Sequence, residues 1–192
     1  MIMFPLTPTS PLPIPLPSHL REPLGPLFRE LNPPSAMKQL LVDQPRNDAA
    51  HRMVGELVRH PSVAGAPALQ AALWLYVDDL DAAHEPAQSL ATPTASLLHA
   101  VVHRREGDFN NALYWYRKAG NHGALGAIDL TGGGAGSGTE VAAYNPVRFV
   151  ERVQTAQANN DLTNPALVSI QHKEWRAIFD HCVMELDRAA VA

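Results

Sequence analysis

The stretch TPTASLLHAVVHRREGDFNNALYWYRKAG, Thr92 to Gly120, decides the fold. Thr92 followed by Pro93 is a helix start: a hydroxyl that caps free amides, then a proline at the one helical position where its missing N–H has no partner to lose. Gly107 suits the left-handed residue that closes a helix, and Asp108 directly behind it suits the cap of a second helix running to Gly120. Two helices joined by so short a turn lie antiparallel. On the first, a 100° step per residue spreads Leu97, Leu98, Val101 and Val102 over one arc and gathers His99, His103 and Glu106 on the flanking arc. On the second, Phe109, Ala112, Leu113, Trp115, Tyr116 and Ala119 form a packing face, while Tyr114, Arg117 and Lys118 point outward.

The same punctuation recurs on either side. Asn145-Pro146 and Asn164-Pro165 open two further helices, the last with Leu167, Ile170, Trp175, Ile178, Phe179, Cys182 and Leu186 at core spacing. Upstream, Asn47 to His60 carries Met53, Val54, Leu57 and Val58 at helical spacing, and a helix from Pro67 runs through Leu69, Ala72, Leu73, Tyr76 and Leu80. Met37 to Val42 predicts a short helix, and Pro86 predicts a kink or a fresh helix beginning near His84. Alternating β-branched runs are almost absent. The expected class is all-α: a compact bundle of antiparallel helical hairpins in one domain, 36–192. In residues 1–35 stand ten of the seventeen prolines, Pro11, Pro13, Pro15 and Pro17 alternating with other residues, which predicts an irregular or polyproline-like arm laid along the body. The glycine-rich run at 131–138 follows no strand and lacks the lysine of a phosphate-binding loop, so it reads as a flexible loop.

With 192 residues, 46% hydrophobic and 18% charged, the chain is long enough to own a core. A net charge of −4 supplies no basic footprint for nucleic acid or an anionic membrane. Cys182 is the single cysteine, so neither an internal disulfide nor a paired-cysteine metal site is available. No uncharged apolar run reaches membrane-spanning length and the N-terminus has no secretory pattern, so the expected setting is the cytoplasm.

Sliding the chain against itself pairs Asp79-Leu80-Asp81-Ala82-Ala83 with Asp108-Phe109-Asn110-Asn111-Ala112. The second copy, Glu106 to Ala119, resembles the turn and second helix of a tetratricopeptide unit, with its glycine-aspartate-aromatic turn and an alanine where helices touch. The first copy departs from that pattern at Pro86 and lacks the turn glycine. The resemblance implies helical hairpins that bind or scaffold a protein partner or a second copy of the chain. A longer likeness, over about Leu73 to Cys182, rests on Thr92-Pro93, on His99 through Ala112 with its His-x-x-x-His-Arg-Arg-Glu-Gly-Asp core, on Tyr114-Trp115 and on Glu174-Trp175. It resembles an uncharacterised family of small bacterial and fungal proteins, and no activity comes with it.

Candidate chemistry concentrates on His99, His103 and Glu106. A histidine pair one turn apart suits a divalent transition metal such as zinc or iron, with Glu106 or His84 from the neighbouring helix as third ligand. A histidine beside a carboxylate equally suits proton transfer, with Arg104 or Arg105 holding an anionic substrate. The third reading is structural: buried imidazoles, each costing about 1–3 kcal/mol unless hydrogen-bonded, satisfied by Asp78, Asp79 or Asp81 across the hairpin. Trp74, Trp115 and Trp175 read as packing residues, and Cys182 as a buried, inert thiol.

Overall fold

Caps decide where helices begin. In the computed structural model, which describes residues 14–45, 47–128, 130 and 143–191, side-chain oxygens of Asn47, Asp79, Thr92, Asp108 and Asn145 each accept a hydrogen bond from a first-turn amide. The described residues form ten α-helices and no strand: α1 (Ser18–Glu30), α2 (Asp48–Leu57), α3 (Pro61–Ala64), α4 (Pro67–Tyr76), α5 (Leu80–Gln88), α6 (Pro93–Glu106), α7 (Phe109–Ala119), α8 (Gly123–Gly126), α9 (Pro146–Ala158) and α10 (Pro165–Val191). The all-α class is therefore the observed one. No described helix is long and apolar enough to cross a membrane.

The hairpin of α6 and α7 forms as its punctuation requires. Gly107 takes φ 87°, its amide closing onto Arg104 and His103, and Asp108 caps α7 through Asn111. Helix α6 also packs on α5, α4 and α10. It is buried nearly all round, Thr94 through Val102 with Arg104 and Arg105, which makes it the central helix of the bundle rather than an amphipathic surface one.

Two arginines at the end of α6 hold this arrangement. The fully buried Arg104 donates to Glu174 of α10 at 2.5 Å and to Gln171 at 3.0 Å. Glu174, also without exposure, accepts hydrogen bonds from Tyr116 at 2.6 Å and from Tyr144. Arg105 turns the other way, donating to Asp78 at 2.6 Å, to the Leu75 carbonyl at 2.9 Å and to the Gln39 carbonyl at 3.2 Å. Arg104 thus ties α6 to α10, and Arg105 ties it to the turn between α4 and α5.

Four sequence expectations change. Of the irregular arm expected over 1–35, residues 1–13 lie outside the described residues, and Ser18–Glu30 form helix α1, with Pro23 and Pro26 inside it. The alternating prolines stop at Pro17, and burial of Leu20, Leu24, Leu27 and Phe28 outweighs the two backbone bonds the later prolines forfeit. Phe28 meets Tyr76, Trp175 and Phe179 edge-on, so α1 shares the apolar core of the later helices. The short helix expected over Met37 to Val42 is absent, because its backbone bonds elsewhere: Leu40 N–H to Leu162, Val42 N–H to Arg105, and the Met37 and Gln39 carbonyls to Gln171. The helix from Pro67 ends at Tyr76, and α5 then runs unbroken from Leu80 through Pro86 rather than restarting near His84. Residues 131–138, expected as a loop, lie outside the described residues.

Replacing Glu174 by Gln leaves Arg104 an uncompensated buried charge and lowers unfolding free energy by about 3–5 kcal/mol in denaturant titrations. Gly107→Ala, strained at positive φ, costs about 1 kcal/mol in the same measurement.

Candidate metal centre

Three histidines meet where α5 and α6 run side by side. His84 on α5 and His99 and His103 on α6 bring one ring nitrogen each within 4.8 Å of one another, and no other group of three or more histidine, cysteine or acidic side chains among the described residues does so. The Nε2 atoms of His84 and His99 face each other at 2.7 Å, the contact the sequence placed within reach. His103 stacks on His99 at a 4.8 Å centroid distance and 17° between planes. His99 is buried, while His84 and His103 retain partial contact with solvent.

The surroundings assign the tautomers. His103 Nδ1 donates to Glu106 Oε2 at 2.9 Å, which leaves its Nε2 lone pair free. His99 Nδ1 is buried with no partner. A hydrogen there would be an orphaned donor, so His99 carries its hydrogen on Nε2 and donates it to His84. Burial, followed by the neighbouring His84, His103 and Lys118, holds His99 down to about 4, so its ring is neutral at pH 7.

Glu106 therefore serves as the partner that orients His103 and stands outside the three-histidine group. Arg104, expected as an anion holder, is committed to Glu174 and Gln171 in the interior, and Arg105 to Asp78; neither guanidinium reaches solvent. The aspartates expected to satisfy the histidines are engaged elsewhere: Asp78 with Arg105, and Asp79 with His51 at 2.7 Å and the Ala82 amide. Asp43, Asp78, Asp79, Asp81 and Glu106 line a recess of about 270 Å³ that shares Glu106 with the histidine cluster. Cys182 is buried and its thiol is pushed up by burial, consistent with an inert side chain.

Trp115 packs as its helical spacing leads one to expect, and the partner the sequence reading did not reveal is His99. The indole ring stacks on His99 at 4.0 Å and 20°, and Lys118 Nζ sits 4.3 Å from the Trp115 ring centroid. A signal existed: His99 and Trp115 each lie eight residues from Gly107, so an antiparallel hairpin closed there sets them opposite each other. A second cluster also went unforeseen. Thr94 donates to Glu185 at 2.9 Å and accepts from His122 at 3.0 Å, with His181 3.5 Å from the same carboxylate. His122 Nδ1 is occupied by the Ala124 amide, so this second cluster joins the starts of α6 and α8 to the end of α10.

Scanned against protein-family models, curated proteins and solved structures, the chain matches none of them.

Burial that depresses a histidine makes stability depend on pH with a definite sign. Between about 6.5, the ordinary histidine value, and about 4, the unfolded chain binds a proton that folded His99 refuses. Stability is thus fully present above that window and falls as pH drops through it. His122 and His172, also held down chiefly by burial, act in the same direction. Thermal melts at pH 7, 5.5 and 4 should show His99→Gln losing less stability over the window than the parent protein.

Proposed function

We propose that the protein binds a transition-metal ion through His84, His99 and His103, with Glu106 orienting His103 and Trp115 holding the His99 ring. The observation that carries this reading is the convergence of three imidazole nitrogens within 4.8 Å, drawn from two helices. Neutral imidazole is a borderline ligand that suits zinc, copper, nickel and iron. Zinc is the better of the two metals expected from sequence, because the non-haem iron arrangement asks for a carboxylate beside two histidines and Glu106 is turned to a ring nitrogen instead.

Loading has a clear chemical cost. Zinc ligands in a tetrahedron stand about 3.3 Å apart, since each Zn–N bond is about 2.0–2.1 Å. The 2.7 Å His84–His99 contact must therefore open. The ion replaces the hydrogen bridging those two Nε2 atoms, and that hydrogen moves to His99 Nδ1, since His84 already carries its own on Nδ1; loading therefore also carries the cost of a buried donor without a partner. His84 is the partner with room to shift, being half-buried on the short helix α5. The acidic recess at Glu106 raises the local concentration of cations.

The alternative, a tetratricopeptide-like scaffold for a protein partner or for self-association, calls for an exposed apolar face. Among the described residues the exposed large apolar side chains are Tyr114, Val147 and Met184, scattered over α7, α9 and α10. The metal reading therefore takes precedence, with a cytoplasmic setting as part of the proposal.

Calorimetric titration of chelator-treated, untagged protein with zinc should give one equivalent bound, and zinc should raise the melting temperature. His99→Ala should abolish that binding, whereas Glu106→Gln should weaken it about 10–100-fold. Binding that survives His99→Ala unchanged would remove the proposed centre.

A further inference from the structure

We infer that the cavity between the end of α4, the residues after α8 and the middle of α10 binds a small uncharged molecule with an apolar body and one hydroxyl group. The cavity holds about 580 Å³, a volume typical of small-molecule sites, and none of its lining residues belongs to the histidine cluster. The inference therefore stands apart from the metal reading.

The wall of the cavity is mostly carbon. Tyr76 and Trp175 both line it, buried, with ring centroids 4.7 Å apart. Each turns its polar atom into the protein: Trp175 Nε1 donates to the Ala72 carbonyl at 2.8 Å, and the Tyr76 hydroxyl donates to the Leu31 carbonyl. What the two rings offer a ligand is apolar surface, which Met37 and Ile128 extend. Met37 stands at φ 45°, a left-handed conformation that side chains disfavour, and Gln171 holds its carbonyl there at 2.9 Å. Backbone strain of this kind clusters where ligands are clamped, and the unbranched thioether it sets in the wall adapts to the shape that enters.

The charged groups at the cavity are already engaged. Arg176 donates to Asp180 at 2.8 Å, Lys173 has a partner of its own, and burial holds His172 neutral at pH 7. An ionised ligand would lose hydration here without meeting an uncompensated opposite charge, so the site favours an uncharged one. His172 supplies the polar contact. Its Nε2–H donates to the Ala36 carbonyl at 2.8 Å, which makes Nδ1 an acceptor for a ligand hydroxyl.

The test is calorimetric and NMR titration of the full-length protein at pH 7 with 1-octanol, octanoate and octylammonium, chains of one length that differ in charge. One equivalent of octanol should bind, about tenfold more tightly than either ion, and should move the Trp175 indole N–H resonance while that of Trp115 stays in place. Octyl methyl ether, which has no hydrogen to donate, should bind several-fold more weakly than the alcohol. Asp180→Asn, at an exposed position, should release Arg176 and narrow the gap between octanol and octanoate. No saturable octanol binding, or binding that leaves Trp175 unmoved, overturns the site. An ion bound as tightly as octanol, or a gap unmoved by Asp180→Asn, overturns the charge assignment, and an ether bound as tightly as the alcohol overturns the hydroxyl assignment.

Discussion

The buried ion pair between Arg104 and Glu174 is the constraint on which the structure turns. Both side chains are removed from water, and the carboxylate also takes two tyrosine hydroxyls, so its lone pairs are filled. A pair this deep is costly to desolvate and contributes little net stability compared with an apolar replacement. What it supplies is register: Arg104 can meet Glu174 in only one rotation of α6, and Arg105, one residue on, must then meet Asp78 on the opposite side. With those two positions fixed, the remaining faces of α6 are no longer free to choose their neighbours.

The histidine centre follows from that rotation. His99 and His103 fall between α5 and α7, where His84 comes from one side and Trp115 from the other. Each ring is held by something specific: His103 by Glu106, His99 by a stacked indole, His84 by the nitrogen of His99. For the metal centre proposed above, the outer partners that fix ligand orientation are Glu106 for His103 and Trp115 for His99.

Local chemistry made much of this legible in sequence. Thr92, Asp108, Asn145 and Asn164 announce helix starts because their side chains satisfy first-turn amides, and Gly107 announces a stop because few residues tolerate its backbone angle. The convergence of His99, His103 and His84 was readable for the same reason, from helical spacing and a short connection. What stayed hidden depends on distant partners. Arg104 and Arg105 look like surface charges until Glu174 and Asp78, 70 and 27 residues away, take them inside. Helix α1 defies its prolines because a core formed by Tyr76, Trp175 and Phe179 receives Phe28. The extended path at Met37 to Val42 likewise answers to Gln171 and Leu162 rather than to its own residues.

The most direct test of the centre is long-range nitrogen–proton NMR of the histidine rings at neutral pH, before and after one equivalent of zinc. The account predicts that the Nε2 resonances of His84, His99 and His103 move together to metal-bound positions while His51, His122 and His172 stay where they are. Zinc that leaves those three resonances in place, or that shifts a different set of rings, would contradict it.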